Sequence, residues 1–243
     1  MTALSLRLEA MLAMLDPCRV LVDVGTDHAL LPIAAVERGI AARAIASDLR
    51  EPPLRAARRT LRSSKARDRL LLLREDGLSA LARGAVDAVS MAGMSGALMV
   101  QLCQASAHVL EGVGQLVLQP NSDAVLVRAW ALRYGWHLRE ERMVLENGQF
   151  FTLCALRPGL GARDPAYALP GWSDAQLCLV GPLLLAHKDP VLLRFCVWQC
   201  ERLGALVERA PGLAPELSTW RAALEQMAHQ PGRDTSPAES GSD

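Results

Sequence analysis

Apolar and polar residues alternate along the first half of the chain in a pattern typical of strands followed by helices. Short apolar or β-branched runs predict buried parallel strands at 19–25, 42–49, 69–76, 86–93 and 114–121. Residues at helical spacing predict helices at 2–15, 30–38, 52–63, 78–84, 96–110 and 124–135. Because each strand is followed by a helix, the pattern predicts an α/β fold with a doubly wound, Rossmann-like sheet.

This alternation stops after residue 135. Two β-like runs within 136–158 flank Asn147-Gly148, a dipeptide that favours a tight hairpin turn. A parallel sheet that finishes with a hairpin contains an antiparallel strand, which is the ending expected of class I methyltransferases and not of nicotinamide-binding domains. The sequence therefore predicts a methyltransferase domain over residues 1–158.

The rest of the chain has a different composition. Glycine and proline are frequent over 159–172, which predicts a linker. Apolar stripes at spacings of three and four then predict helices at about 173–187, 189–210 and 213–229, the last two as an antiparallel pair. We therefore expect a C-terminal helical, coiled-coil-like domain over 173–230. The polar end of the chain, 231–243, predicts a disordered tail.

Composition and charge narrow the function. Apolar residues make up 51% of the chain and charged residues 21%, which is typical of a folded protein with a buried core. The formal net charge is zero, so any nucleic-acid binding requires a local basic surface. Residues 50–74 contain nine basic and two acidic residues, a net charge of +7. This segment is either a solvated helix face or a phosphate-binding surface, with Arg55, Arg58, Arg59, Arg62 and Lys65 as the candidate contacts.

The six cysteines lie far apart or one helical turn apart, without metal-ligand spacing or a dense disulfide pattern. They indicate free thiols in a reducing compartment. No run of about 18 uncharged apolar residues and no signal peptide is evident. We therefore expect a cytoplasmic protein with no bound metal and no membrane partner.

Candidate chemistry begins where the first strand ends, in Val-Asp-Val-Gly-Thr-Asp-His. Gly25 follows the strand directly, which lets the backbone approach a ligand at the carboxyl edge of the sheet. A dinucleotide site would require the pattern Gly-x-Gly-x-x-Gly, but here Gly25 is followed by Thr26, Asp27 and His28. Acids on both sides of a single glycine, Asp23 and Asp27, would repel a diphosphate. They suit the ammonium and sulfonium groups of S-adenosylmethionine.

Two further acids follow the next two strands. Asp48 ends the second strand, where a carboxylate can accept hydrogen bonds from both ribose hydroxyls. Asp76 and Gly77 follow the third strand, at the position expected to contact an adenine amine. Each of these acids alone has an alternative role as a helix N-cap. Three acids at three successive strand ends favour a common ligand.

Small and polar residues end the fourth and fifth strands. Ala92, Gly93 and Met94 leave room for a cofactor and a substrate to meet. Asn121 adds an amide at the same edge, with a helix N-cap as the alternative role. His28 either orients a substrate base or hydrogen-bonds its own loop.

Taken in order, the motifs VDVGTDHALLPI, AIASDL, DGL at 76–78, AGMSG at 92–96 and LQPN at 118–121 resemble the bacterial tRNA (adenine(22)-N1)-methyltransferase family. The resemblance covers residues 6–156 and continues more loosely through 179–185 into the helical region. It implies S-adenosylmethionine as cofactor, tRNA as substrate and a helical domain that helps to hold the tRNA. The implied cofactor-binding residues are Asp23, Gly25, Thr26, Asp27, Asp48, Leu49, Asp76, Gly77, Ala92, Gly93 and Met94.

The same resemblance suggests a reaction. The target adenine is flipped out of the tRNA, and its N1 lone pair attacks the methyl carbon directly. Most of the rate enhancement would come from positioning and desolvation. Candidates for catalytic roles are Asp27, His28 and Asn121, with Asp27 or Asn121 orienting the exocyclic amine.

Two departures from the family bear on substrate handling. Leu30 stands where members commonly have tyrosine, and Ser95 where they have a second glycine. Loss of an aromatic ring removes a surface on which a base can stack. Two alternatives stay open: a methyltransferase acting on a small molecule or protein, which the zero net charge favours, and a non-catalytic protein that binds S-adenosylmethionine, which Leu30 favours.

Overall fold

The computed structural model describes residues 4–228. A seven-stranded mixed sheet has the order β3-β2-β1-β4-β5-β7-β6. Its strands are β1 Cys18–Val24, β2 Ala41–Asp48, β3 Leu70–Arg74, β4 Ala88–Ser95, β5 Gln115–Ser122, β6 Trp136–Glu146 and β7 Gln149–Pro158. Strands β1 to β5 pair in parallel, and β7 is antiparallel to both of its neighbours. The doubly wound fold with a closing hairpin is confirmed.

Helices connect and cover the strands. They are α1 Leu6–Ala13, α2 Leu30–Glu37, α3 Glu51–Arg62, α4 Gly96–Ala105, α5 Ala107–Leu110, α6 Ala124–Arg133, α7 Asp174–Val180, α8 Pro182–Ala186, α9 Pro190–Gly204 and α10 Ala214–Ala228. Helices α2 and α3 pack on β1 to β3, and α4 and α6 pack on β4 to β6. From β1 the chain winds outward to β3 and then returns to β4, so the winding direction reverses between β1 and β4. Ligands of doubly wound sheets bind outside the carboxyl ends of the strands at such a reversal.

The hairpin between β6 and β7 follows from its turn residues. Asn147 and Gly148 have φ values of 50° and 77°. Positive φ at both central residues is the requirement of a type I′ turn, and asparagine and glycine adopt it with the least strain. The turn pairs Glu146 with Gln149 and continues as a ladder to Trp136 and Pro158.

Three helix predictions require correction. The helix expected over 173–187 is interrupted at Gly181 and becomes α7 and α8. Residues 78–84 form turns and not a helix: Leu81 N donates to Leu78 O and Ala85 N to Ala82 O, but no continuous helical ladder forms. A segment this short forms a helix only where packing holds its apolar face, and Leu78 is the one buried residue among 78–84. The helix expected over 96–110 is interrupted at Ser106 and becomes α4 and α5.

The expected linker over 159–172 packs against the sheet. Asp164 is 2% exposed, and its Oδ2 accepts a hydrogen bond from Leu138 N at 2.7 Å. Tyr167 is also 2% exposed. The first compact unit accordingly continues through α7 and α8 to Leu192, whereas the sequence pattern predicts a boundary before residue 173. Buried polar anchors such as Asp164 are not visible in a composition that is otherwise typical of a loop.

The second compact unit begins at Leu193 and contains most of α9 and all of α10 in its described part. Phe195 contacts Trp220 edge to face, with ring centroids 5.3 Å apart. Arg202 lies 3.9 Å from Glu216. Because later residues of α9 meet earlier residues of α10, the two helices run antiparallel, as expected. The predicted disordered tail at 231–243 lies outside the described residues.

Candidate cofactor and methyl-transfer site

The carboxyl ends of β1, β2 and β3 form one continuous edge. Thr26 N donates to Ser47 O at 2.9 Å, which ties the turn after β1 to the end of β2. Glu75 N donates to Asp48 O at 3.3 Å and ties β3 to β2 in the same way. The backbone therefore brings Asp23, Asp48 and Asp76 to neighbouring positions along this edge, although they are far apart in sequence.

Asp23 lies below the surface of this edge. It is 6% exposed, and its Oδ1 accepts a hydrogen bond from Ser90 Oγ at 2.8 Å. Burial raises the pKa of this carboxyl to about 6. Ser90 belongs to β4, so the contact crosses the point where the winding of the sheet reverses.

The turn after β1 presents polar groups to solvent. Thr26 is buried, whereas the side chains of Asp27 and His28 are 78% and 51% exposed. His28 Nε2 lies 3.5 Å from Asp27 Oδ1. His28 and Ala29 have φ values of 59° and 54°, a left-handed conformation that non-glycine residues adopt only under constraint. The strained turn keeps an acid and an imidazole together at the end of β1, and α2 then begins at half-buried Leu30.

Asp48 and Leu49 combine a buried carboxylate with an exposed apolar side chain. Asp48 is 6% exposed, and its Oδ1 accepts a hydrogen bond from Arg50 N at 2.7 Å. Leu49 is 58% exposed. An acceptor beside an apolar surface suits a ribose and the adjoining flat base of a nucleoside.

Asp76 and Gly77 lie beside the end of β2. Asp76 is exposed, and Gly77 is buried with φ of 67°. Ser47 Oγ lies 3.4 Å from Gly77 O, and a Cβ added at Gly77 would come within 3.0 Å of Leu102 Cδ2. A side chain at position 77 would therefore be both strained and crowded.

The N-cap alternative for the acids is wrong for Asp23 and Asp48. The residues that precede α2 and α3 as N-caps are Ala29 and Arg50. Asp76 is followed by turns. Their carboxylates are therefore free of the helix-capping role that would have explained them without a ligand.

The end of β4 bulges where the small residues stand. The pairing with β5 shifts between Ala92 and Met94 and again between Met94 and Ser95. Gly93 has φ of 76°, and a Cβ added at Gly25 would lie 2.5 Å from Met94 Cε. The Met94 side chain thus lies against Gly25 and joins the two halves of the edge. Ser95, a departure from the family pattern, caps α4 by accepting a hydrogen bond from Leu98 N at 3.2 Å.

Asn121 contacts this bulge. Its Nδ2 donates to Gly93 O at 2.9 Å, and its Oδ1 accepts from Gln119 Nε2 at 3.1 Å. The N-cap of α6 is Asp123, so the capping role considered for Asn121 is wrong. Ser90 and Arg7, which also make contacts in this cluster, were not predicted as site residues, and Gln119 was noted only as part of the LQPN motif. The interruption of an apolar helix stripe by Arg7 was the one available signal.

The basic segment forms the outer face of α3 and the turn after it. The side chains of Arg55, Arg58, Arg59, Arg62 and Lys65 are exposed, while Leu54, Ala57 and Leu61 face the core. Arg58 pairs with Glu51 of the same helix. The basic residues of this segment therefore face solvent, and the binding of phosphate to them stays a prediction.

The chemistry of the edge fits S-adenosylmethionine. Three carboxylates, two of them buried, surround positive-φ glycines that allow close backbone approach, and an exposed leucine adjoins the acid that ends β2.

Over residues 4–228 no group of three or more His, Cys, Asp or Glu side chains is arranged to hold a metal ion. Within the same range, no helix is long and apolar enough to cross a membrane.

Comparisons with known proteins agree with this chemistry. Residues 4–154 match a methyltransferase domain family. The tRNA (adenine(22)-N(1))-methyltransferase of Bacillus subtilis (strain 168) is 32% identical over 206 residues, which is 85% of each chain.

Solved structures give the same result. The Streptococcus pneumoniae protein Sp1610, a putative tRNA (m1A22) methyltransferase in complex with S-adenosyl-L-methionine, superposes with a TM-score of 0.82 at 27% identity. That match covers 91% of this chain and all 100% of the other. The B. subtilis M1A22 tRNA methyltransferase gives a TM-score of 0.79 at 29% identity and covers 93% and 97% of the two chains. The chain therefore belongs to the tRNA (adenine(22)-N1)-methyltransferase family.

Proposed function

We propose that this protein methylates N1 of an adenine in tRNA, at position 22 in the D-arm region, and uses S-adenosylmethionine as the methyl donor. The observation that carries the proposal is the alignment of Asp23, Asp48 and Asp76 along one edge, next to Gly25, in a chain of this family. S-adenosylmethionine, when bound, supplies a methyl group activated by its positively charged sulfur.

The cofactor roles follow from position and charge. Asp23, Gly25, Thr26 and Asp27 would hold the methionine end, because two carboxylates there attract its ammonium group. Asp48 would accept the ribose hydroxyls, with Arg50 N fixing the orientation of its carboxylate. Leu49, Asp76 and Gly77 would surround the adenine. Ala92, Gly93 and Met94 would border the place where the methyl group and the target base meet.

Asp27 is the candidate that best suits proton removal. When the target N1 bonds to the methyl carbon, the bond between that carbon and the sulfur breaks and the positive charge passes to the base, which becomes neutral only when an acceptor removes a proton from its exocyclic amine. Asp27 is exposed and lies next to His28, so this pair can accept that proton and pass it to water. Asn121 is less suited, because its oxygen already accepts from Gln119 and its nitrogen donates to Gly93.

The basic face of α3 would bind tRNA phosphates. Arg58 is paired with Glu51, so we expect Arg55, Arg59, Arg62 and Lys65 to contribute most of the attraction. The antiparallel helices α9 and α10 would help to hold the tRNA. A cytoplasmic location is part of the proposal and is supported by the six free cysteines.

The experiment is incubation with isotope-labelled S-adenosylmethionine and unmodified tRNA, followed by mass-spectrometric identification of the methylated nucleoside and its position. We expect 1-methyladenosine at position 22. Cofactor binding with no modification of tRNA would instead support a non-catalytic binding protein, for which Leu30 in place of an aromatic residue is the motivation. Label transferred to a small molecule or protein alone would support the other alternative.

Asp27→Ala tests the catalytic role, with Asp68→Ala as a matched exposed control. We expect the first variant to abolish methyl transfer and the second to retain it. Near-normal transfer by Asp27→Ala would reject the assignment.

A further inference from the structure

Arg7, on helix α1, reaches the bulge at the end of β4 through two amide side chains. Its Nη1 donates to Gln119 Oε1 at 2.8 Å and lies 3.4 Å from Asn121 Oδ1. Gln119 Oε1 also accepts from Gly93 N at 3.3 Å, and Asn121 Nδ2 donates to Gly93 O at 2.9 Å. Both polar groups of Gly93 are therefore bound by amides that Arg7 contacts.

The guanidinium fixes which way these amides face. An arginine only donates, so the oxygens of Gln119 and Asn121 must turn toward it. If the Gln119 amide were reversed, its nitrogen would meet two donors, Arg7 Nη1 and Gly93 N. Gln119 is fully buried, so such a mismatch would not be relieved by water.

Arg7 is itself firmly held. Its guanidinium lies over the Phe151 ring, 4.8 Å from the centroid, and its backbone N donates to Glu146 Oε1 at 3.3 Å. Its Nε is buried and has no hydrogen-bond partner among the described residues. A positive charge kept in a partly buried position interacts more strongly with the amide oxygens than it would in water.

The conformation of Gly93 in turn affects the cofactor edge. Gly93 is in a left-handed conformation at the first of two register shifts, and the next residue, Met94, lies against Gly25. A change in the Gly93 peptide would therefore move the Met94 side chain relative to the turn after β1. Misplacement by about 1 Å at a reacting centre can lower a rate by about 100-fold.

We propose that Arg7 is a positioning residue for methyl transfer, which acts through Gln119 and Asn121 to hold the Gly93 peptide in its active conformation. This inference rests on the proposed methyl transfer and adds to it a residue outside the cofactor-binding motifs.

The test compares Arg7→Met with wild type in steady-state assays on unmodified tRNA and in S-adenosylmethionine binding by calorimetry. We expect kcat to fall by about 10- to 100-fold, while the cofactor Kd changes by less than about threefold. Arg7→Lys retains a charged donor and should recover part of the missing kcat. Arg38→Met is the matched control, because Arg38 also anchors α1, through Glu9, but does not contact the bulge.

A double-mutant cycle separates positioning from simple anchoring of α1. In a Gln119→Met background, Arg7→Met should lower kcat by less than about twofold further. The reason is that Gln119→Met already removes the hydrogen bonds that connect Arg7 to Gly93 through residue 119. Additive losses, unchanged kcat in Arg7→Met, or an equal loss in Arg38→Met would each overturn the proposal.

Hydrogen exchange gives a readout independent of activity. In Arg7→Met, amide exchange in the 91–96 segment should rise by about tenfold or more, while exchange in the 18–24 segment stays as in wild type. Unchanged exchange at 91–96 would overturn the inference. If wild-type protein fails to methylate tRNA, the proposed function fails, and the exchange experiment still decides whether Arg7 holds the bulge.

Discussion

Gly25 and Met94 are in such close contact that a β-carbon on Gly25 would lie 2.5 Å from Met94 Cε. The two residues come from strand ends on either side of the point where the winding of the sheet reverses. Their contact links the turn proposed to bind the methionine end of the cofactor to the bulge proposed to border the target base.

Gly25→Ala should weaken S-adenosylmethionine binding by about tenfold or more, measured by calorimetry, since the added methyl group clashes with Met94 Cε and strains a residue with φ of 71°. Gly39→Ala is the matched control, because Gly39 has φ of 73° with no atom within 4 Å of an added Cβ. Both variants carry the same backbone strain, and only the first carries the clash. Equal affinities in the two variants would contradict this explanation.

The buried Asp23 carboxyl should make stability depend on pH. Its pKa is raised from 3.8 to about 6, so its contribution to stability is fully present below pH 3.8 and is lost as pH rises through about 6. Asp23→Asn cannot ionise. The free energy of unfolding of Asp23→Asn minus that of wild type should therefore increase between pH 4 and pH 7, by on the order of 3 kcal/mol.

Urea unfolding at several pH values measures this difference. Asp87→Asn is a suitable control, because hydrogen bonds from Arg19 and Val20 outweigh the effect of burial and lower the pKa of Asp87 below 3.8. Its difference from wild type should stay constant between pH 4.5 and pH 7. A constant difference for Asp23→Asn as well would show that burial does not penalise its charge.

The basic face of α3 should determine the salt dependence of tRNA binding. Arg59→Glu combined with Arg62→Glu should weaken tRNA binding and reduce the slope of log affinity against log salt by about one for each phosphate that is no longer neutralised. Cofactor affinity should be unchanged. Arg157→Glu, an exposed arginine near the end of β7, is the control. An unaltered salt slope in the double variant would exclude this face as a binding surface.

Removing only one partner of the ion pair between Arg128 and Glu141 should strongly lower the free energy of unfolding. Arg128 Nε lies 2.6 Å from Glu141 Oε1, and the side chains are 2% and 0% exposed. Arg128→Met should lower the free energy of unfolding by about 3–5 kcal/mol, because it leaves a buried carboxylate without its partner. Replacing both residues, Arg128→Met with Glu141→Leu, should recover much of the loss.

Denaturant titration measures both variants. Arg38→Met, which breaks the more exposed pair with Glu9, should lower the free energy of unfolding far less than Arg128→Met, because water screens that pair. A double variant as unstable as Arg128→Met alone would show that the pair contributes through packing and not through charge.

Local patterns predicted most strands and helices, because the buried strands are short apolar runs and the helices have apolar residues at helical spacing with glycine or proline near many of their ends. Asp48 and Asp76 could be placed at one edge for the same reason, since the carboxyl ends of parallel strands coincide. The hydrogen bond from Arg7 to Gln119 could not be predicted from the sequence, because it joins residues 112 positions apart. The packing of Asp164 against Leu138 was hidden in a similar way by a segment rich in glycine and proline.

The buried contacts of Arg128 have a practical consequence for dividing this protein. Arg128 Nη1 donates to Cys178 O at 3.0 Å, and Leu183 N donates to Glu141 Oε2 at 2.9 Å. A truncation after residue 172, at the end of the glycine- and proline-rich stretch, would remove both partners and open an ionic pair to water. An autonomous catalytic fragment should instead retain helices α7 and α8, with its cut near residue 192.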